Sequence, residues 1–553
     1  MAIDVVGYDL IIHNGRVVDG SGNPWFRADV GIRDGKIAAL GDLSGVEGAR
    51  RIDASGLIVS SGFIDLHNHS DITLLIRPTA DNMVQQGVTT MVIGNCGGSA
   101  APWSLDAAAA SGALEDEQSR LLEELGVKWR AFAEYLALVE RRGCAINVAA
   151  LVGHGNVRSV AMGWANRPPD AAEMERMRGL VAEAMEAGAF GISYGLMYPP
   201  GFFAQTDELV EMNKVVRRYR GFHAIHIRDE RNGERYRASV REAIEIGERA
   251  GIPAHISHLE AHYPNWGAQA EILGLLEHAR ARGVDVTCDV PPYLLSSSTI
   301  TVAIPDWAMA GGFDRLLARL RDPATRQQVR DCIYRDQPFG ARFFIDGNWD
   351  KGWLGASAAH PEYSGKSLAE IAAMRGVEPS FDVIFDLLLD EGENMPAHAQ
   401  LHNEDEMRIL VSHPLSMIET DASVSVSRSG KTNPRSFGSF PITFRKYVRG
   451  EDRADEPLER GKRILTLEEA VRKMTSAPAQ RLGLRDRGLV REGMWADLVV
   501  FDPETIADRA TYLDPHQHPA GIACVLVNGQ VVVERGQHSG KLAGRVLRAS
   551  MSC

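Results

Sequence analysis

Gly62-Phe-Ile-Asp-Leu-His-Asn-His-Ser-Asp71 is the stretch from which the rest of the chain is read. It ends an apolar run, Leu57 to Ile64, that reads as one buried strand carrying Ile58, Val59, Phe63 and Ile64. The run stops at a pair of histidines. Two positions apart on an extended chain, His67 and His69 project to the same side. Two neutral imidazoles converging at a strand end make half of a metal site. A pair of surface histidines is the plain alternative, and the other half of a site has to be sought elsewhere in the chain.

From residue 58 to about 480, apolar strands alternate with amphipathic helical segments. The strands read as Thr89 to Ile93, Ala145 to Val152, Gly191 to Ser193, Phe222 to Ile227, Pro253 to Ser257, Asp285 to Val290 and Leu415 to Glu419. Helices such as 172–187 and 234–250 lie between them, the second stopping at Gly251. Repeated βα units over a core of about 250 residues are the pattern of an α/β protein of the (β/α)8 TIM barrel type. A doubly wound open sheet is the alternative, but no glycine-rich dinucleotide fingerprint follows the first strand. Residues 299–410 interrupt the rhythm with Trp307, Trp349, Trp353 and an Arg-rich helix from Phe313 to Arg335. They read as an insertion over the barrel mouth, a candidate lid.

Both ends of the chain have β texture. Tyr8 to Gly20 reads as a hairpin turning at Asn14-Gly15, and Ala28 to Leu40 as another turning at Asp34-Gly35. Near the C-terminus, Ala496 to Asp502 is a strand, and Ile522 to Glu534 turns at Asn528-Gly529. The expected organisation is a small β-sandwich built from residues 1–60 and 481–553, flanking a barrel of residues 61–480.

Composition narrows the function classes. A 553-residue chain with 44% hydrophobic and 24% charged residues and 54 glycines fits a loop-rich enzyme of more than one domain. Net charge −13 argues against a nucleic-acid or anionic-membrane partner. No apolar run approaches the ~20 residues a membrane helix needs. The N-terminus lacks a basic region followed by an apolar core, and the six cysteines have no framework spacing, which together predict reduced thiols and a cytoplasmic location. Nothing in the sequence fixes an oligomeric state.

Barrel active sites sit at the C-terminal ends of strands. Cys96 follows the second strand in Gly94-Asn-Cys-Gly-Gly, His226 ends the fifth, His258 the sixth and Asp421 the eighth. With His67 and His69, that places metal-compatible side chains at successive strand ends. A lone histidine at a strand end is more often a structural residue; a whole series of them points to a metal.

At this point the chain resembles the amidohydrolase superfamily, and within it the D-aminoacylase (N-acyl-D-amino-acid deacylase) family. The resemblance spans nearly the whole chain. It is carried by Ile64-Asp-Leu-His-Asn-His-Ser-Asp, Gly94-Asn-Cys-Gly, Leu151-Val-Gly-His-Gly-Asn-Val-Arg, Gly195-Leu-Met-Tyr-Pro-Pro-Gly, His226-Ile-Arg-Asp-Glu, Ile256-Ser-His and Pro515-His-Gln-His-Pro-Ala-Gly-Ile. The resemblance implies that Cys96, His226 and His258 hold a principal zinc, and that His67 and His69, with Cys96 shared, form a second, weaker position. A thiolate and two imidazoles suit zinc and leave a coordination position open. Many amidohydrolases bridge two metals with a carboxylated lysine on the fourth strand; Gly191-Ile-Ser-Tyr-Gly offers no lysine, so Cys96 takes the bridging role. Asp421 is expected to act as general base and acid on the attacking water and the leaving nitrogen.

By the same resemblance, Tyr198 faces the substrate carbonyl, Arg435 binds a substrate carboxylate, and Ser297 lies near a substrate contact; Arg228 and His154 are further candidates for the cleft. The family usually has His-Lys after the sixth-strand histidine, where this chain has Leu259-Glu260, exchanging a cationic anchor for an anion. Pro291-Pro292-Tyr293 and Phe440-Pro441-Ile442 also depart from the family pattern. The expected activity is hydrolysis of a linear amide in a small molecule, an N-acyl-D-amino acid or related N-acyl compound. The alternatives are the same site acting on a cyclic, carbamoyl or uncharged amide, with Glu260 meeting an amine-bearing or neutral substrate or a metal, and a non-catalytic metal-binding scaffold.

Overall fold

At Gly62 the apolar run from Leu57 to Ile64 divides between two sheets. Ile58–Ser61 joins a seven-stranded sheet, whereas Phe63–Asp65 opens the barrel. A Cβ at Gly62 would collide with the Thr89 side chain, so only glycine fits where the chain crosses. The single strand expected here is therefore two. Both halves are buried and apolar, which hides the division in the sequence.

The computed structural model describes residues 7–46, 50–103, 126–230, 233–338, 340–355, 357–392, 394–426, 432–453, 462–512 and 514–549. Cys553 and most of the N-terminal stretch examined for a signal lie outside these. Eight parallel strands form the barrel: β1 (Phe63–Asp65), β2 (Val88–Ile93), β3 (Asn147–Gly153), β4 (Gly191–Gly195), β5 (Phe222–His226), β6 (Ala254–Ile256), β7 (Val286–Val290) and β8 (Ser416–Ile418). Each pairs with its sequence neighbour in parallel register. β1 and β8 meet just beyond their ends, through an Asn68–Ala422 bridge and a hydrogen bond from Asp421 N to His67 O at 3.0 Å. The barrel thus closes through the histidine motif itself.

The period of two sorts the strand side chains into layers. Met91, Ile93, Val148, Ala150 and Val152 belong to the core between strands and helices, while Val92, Ala149 and Leu151 belong to a second cluster with Ile64, Ala224 and Met417. The helix Ala171–Glu186 starts at Asp170, whose carboxylate accepts from Glu173 N, and the helix Gly233–Ala250 ends before Gly251 at φ 69°.

The terminal β unit has two sheets, one of four strands and one of seven. The seven-stranded sheet joins Arg16–Val18 and Ile58–Ser61 to Leu498–Phe501, Ile522–Val527 and Gln530–Glu534 from the other end of the chain. Hairpins form at Asp34-Gly35 and Asn528-Gly529, but none forms at Asn14-Gly15. There Leu10–His13 pairs within the four-stranded sheet and Arg16–Val18 within the seven-stranded one. The Asn-Gly turn carries the chain from one sheet to the other.

The interruption after β7 builds its own core from Phe313, Leu316, Leu320, Val329, Ile333, Phe381, Ile384, Phe385 and Leu388. The Arg-rich helix expected from Phe313 to Arg335 is two helices, Phe313–Arg321 and Pro323–Asp336, because Pro323 has no N–H to continue the first. Asp322 caps the second, its carboxylate accepting from Thr325 N at 2.8 Å. The insertion meets the barrel loops where Tyr198 bonds Ser298 at 3.1 Å, Tyr263 donates to Asp346 at 2.6 Å and Trp266 Nε1 donates to Leu401 O at 3.0 Å.

Candidate metal centre and active site

The residues expected at the strand ends converge on one sulfur. Cys96 Sγ lies 3.2 Å from His67 Nε2, 3.6 Å from His226 Nδ1 and 3.5 Å from His258 Nε2. His67 Nε2 and His69 Nε2 lie 3.6 and 3.1 Å from Asp421 Oδ1. Two three-residue sets, His67–Cys96–His258 and His67–His69–Asp421, bring their ligand atoms within 4.8 Å of one another. Cys96, His258 and Asp421 hold left-handed backbone conformations, with φ of 49°, 33° and 41°. Non-glycine residues reach that region at a cost, and here the cost turns each side chain inward from a strand end. Gly94 and Gly97 flank the cysteine where a Cβ would strike the backbones of Leu151 and Gly195.

The electrostatics are those of a cage for a cation. Burial opposes ionisation of Cys96, but the imidazoles of His67, His226 and His258 outweigh it and hold the thiol well below its usual range. Burial pushes the Cys144 and Cys524 thiols up to about 12 instead. For His69 and His258 burial acts against the charged ring, yet Asp421 and Cys96 raise the first to about 9, and Cys96 the second to about 10. A metal ion satisfies the same thiolate and carboxylate, which is why the donor set fits one. Asp421 is itself held well below the usual carboxylate range: burial works against its charge, and Arg435, His69, His67 and His258 overcome it.

Sequence reasoning did not single out the groups that orient this set. Asp289 on β7 accepts from His255 Nε2 at 2.8 Å, lies 3.7 Å from His67 Nδ1 and receives the backbone N–H of His258. Such carboxylate partners set the tautomer and direction of metal-ligating imidazoles. Glu230, after β5, lies 4.0 Å from His226 Nε2 and 3.3 Å from His262 Nδ1. The only sequence signal for either is a carboxylate at or beyond the end of a strand that is otherwise apolar.

The remaining expected residues divide. Arg435 ion-pairs with Asp421 at 2.7 Å, so the arginine expected to receive a substrate carboxylate also holds the carboxylate expected to act as general base. The Tyr198 ring lies 4.9 Å from that of His226. Glu260 is buried among charges of the site: His258, Asp421 and Arg435 all act on its carboxyl. Ser297 is tied up with His398 at 2.7 Å and Asn433 at 2.8 Å, two residues before Arg435. Arg228 makes a two-point ion pair with Glu242 at 2.8 and 2.9 Å and donates to Phe202 O at 2.9 Å. His154 does not face a cleft; it is fully buried, and its Nε2 lies 2.9 Å from Glu208, which also holds Arg158. The five described cysteines are all unpaired, and among the described residues no helix is long and apolar enough to cross a membrane.

A barrel with this donor set at its C-terminal face is that of a metal-dependent hydrolase, and residues 50–533 match the model of the amidohydrolase family. The chain belongs to that family. It is 38% identical over 549 residues to an N-acyl-D-glutamate deacylase of Alcaligenes xylosoxydans xylosoxydans, covering 98% of this chain and 97% of the relative. The crystal structure of N-acyl-D-glutamate deacylase from Bordetella bronchiseptica, complexed with zinc and a phosphonate that mimics the tetrahedral intermediate, superposes with a TM-score of 0.80 at 35% identity, over 98% of this chain and 100% of that one. A D-aminoacylase described by its binuclear metal centre, with one-metal activation and second-metal attenuation, also superposes with a TM-score of 0.80, at 33% identity and with the same coverage.

Proposed function

We propose that this protein is a zinc-dependent deacylase that hydrolyses the amide bond of N-acyl-D-amino acids. The observation that carries the reading is the convergence of three imidazole nitrogens within 3.2–3.6 Å of Cys96 Sγ, beside Asp421. Cys96, His226 and His258 would hold the principal ion, and His67 and His69 would contribute, with Cys96, to a weaker second position. Zinc in such a set supplies Lewis acidity, polarising a carbonyl and acidifying a water.

The chain's own residues do the rest. Asp421 Oδ1 takes the proton of the attacking water and returns it to the leaving nitrogen. Arg435 fixes Asp421 from the Oδ2 side, leaving Oδ1 towards His67 and His69. The ion pair engages one terminal nitrogen of Arg435, and a guanidinium has further N–H donors for the substrate's α-carboxylate. Tyr198, its hydroxyl bonded to Ser298, donates to the scissile carbonyl oxygen. Ser297 acts indirectly, by holding Asn433 and thereby the turn that delivers Arg435.

The unpartnered carboxyl of Glu260 favours one second reading, in which the same machinery opens a cyclic, carbamoyl or uncharged amide. Metal analysis of the purified protein, run beside N-acyl-D-amino acids, N-acyl-L-amino acids and uncharged amides, separates the two. The expected result is at least one zinc per chain with D-selective deacylation. Zinc with turnover of uncharged amides alone would replace the substrate, and a metal-free active protein would overturn the mechanism. Arg435→Ala should reduce turnover of carboxylate substrates more than that of uncharged ones.

A further inference from the structure

One buried carboxyl beside the metal ligands has no part in the chemistry above. Glu260 follows His258 by two residues in the loop leaving β6 and is 3% exposed. Its main chain is fixed: its N–H donates to His258 O at 2.8 Å, and its carbonyl accepts from Tyr236 Oη at 3.2 Å. Neither carboxyl oxygen has a hydrogen-bond partner among the described residues. His258, Asp421 and Arg435, all residues of the site described above, act on its charge. Glu230, the neighbouring carboxyl, is already engaged with His262. Arg435, the cation near Glu260, is paired with Asp421.

An unpartnered buried carboxyl is costly, and a fold keeps one where a ligand completes it. We propose, resting on the deacylase reading, that Glu260 is a specificity-determining residue that receives a hydrogen-bond donor on the substrate's amino-acid side chain. The preferred substrates are then N-acyl-D-amino acids with a cationic or carboxamide side chain. An acidic side chain, ionised, offers no hydrogen-bond donor to the two open oxygens of Glu260, and Arg435 is already shared between Asp421 and the α-carboxylate. The selectivity expected here is opposite to that in the name of the N-acyl-D-glutamate deacylase relative.

The test uses the zinc-loaded full chain with N-acetyl-D-arginine, N-acetyl-D-glutamine, N-acetyl-D-leucine and N-acetyl-D-glutamate. The arginine and glutamine substrates should exceed the glutamate one by about 100-fold or more in kcat/KM, and Glu260→Gln should lower the arginine-to-leucine ratio about 10- to 100-fold. Glu260→Lys should shift preference towards glutamate. In the slow Asp421→Asn background, calorimetry should show Glu260→Gln weakening N-acetyl-D-arginine binding about 10-fold or more. Wild-type preference for glutamate, or ratios indifferent to both variants, overturns the proposal. So does a Glu260→Gln protein that loses zinc and slows all substrates alike, since Glu260 would then serve the metal. Failure to hydrolyse any of the four, leucine included, refutes the deacylase reading itself; leucine turnover without an arginine or glutamine preference refutes this inference alone.

Discussion

Charged residues are buried at both ends of the barrel, and the two networks are completed differently. At the C-terminal face, Cys96, His258 and Asp421 sit in left-handed backbone, and both Glu260 oxygens have no hydrogen-bond partner among the described residues. At the opposite face, Asp497 forms an ion pair with Arg487, accepts from Asn147 Nδ2 at 3.0 Å and accepts from Asn528 N at 2.6 Å. Arg487 donates to Asn528 Oδ1 at 3.0 Å, and Asn528 Nδ2 donates to Asn147 Oδ1 at 2.8 Å. Every contact in that second network is to the protein, and together they tie the start of β3 to the C-terminal β unit. Buried charge is therefore not what marks the site. Nor is left-handed backbone, since Asn528 in the second network has φ 49°; unmet hydrogen-bonding capacity is, because only a ligand can complete such a set.

The comparison is broken most easily by two substitutions. Asp421→Asn removes the basic oxygen and should lower kcat about 10²–10⁴-fold in steady-state assays, with the circular dichroism spectrum of the folded protein retained. A variant keeping more than a tenth of the activity would remove Asp421 from proton transfer. Asp497→Ala acts in the opposite sense. It leaves Arg487 buried without its carboxylate, which should cost about 3–5 kcal/mol in urea unfolding while the folded fraction keeps its kcat. Should Asp497→Ala abolish activity in fully folded protein, the division between a catalytic face and a structural face fails.

Much of this layout was legible from residue order, for definable reasons. The barrel strands appear as apolar runs because both sides of each are covered, and their ends appear because polar ligands stop the runs. Partner choice does not appear. Asn14-Gly15 has the local chemistry of a hairpin turn, yet the strands on either side pair in different sheets, with partners tens of positions away that the turn itself does not specify. Asp289 contacts His255, His67 and His258 through the relative register of parallel strands, which no spacing within one strand reveals. His154 and His226 look alike in the sequence, each a histidine after an apolar strand. His154 begins the helix His154–Met162 and turns to Glu208, whereas His226 still belongs to β5 and faces Cys96.

The structural face also carries a pH signature. Lys473 is fully buried, and its Nζ donates to the carbonyls of His413 and Ser416 where the chain enters β8. Burial lowers its pKa to about 8. The unfolded chain, with an ordinary lysine near ~10.4, binds more protons than the folded one between these values. The contribution of Lys473 to stability should therefore rise with pH across that window and fall as pH drops towards 8, by at most about 3 kcal/mol. Urea midpoints at pH 7.5 and pH 10 measure it; Lys473→Met should flatten the difference, and an unchanged slope would assign the effect to another group.

The smallest effect is expected beside the site, where the comparison is sharpest. Arg228 stands two residues from His226, but all three of its guanidinium nitrogens are engaged, two by Glu242 and one by Phe202 O. It is satisfied by the protein in the same way as Arg487 at the far end. Because the group is partly exposed, Arg228→Gln should cost only about 1 kcal/mol in unfolding, with zinc content unchanged and KM for an N-acetyl-D-amino acid within about two-fold of wild type. Steady-state kinetics beside a denaturation curve read both quantities on one preparation. A tenfold rise in KM at unaltered stability would show a fully paired side chain binding substrate, and unmet capacity would no longer separate the residues that act from those that only hold the fold.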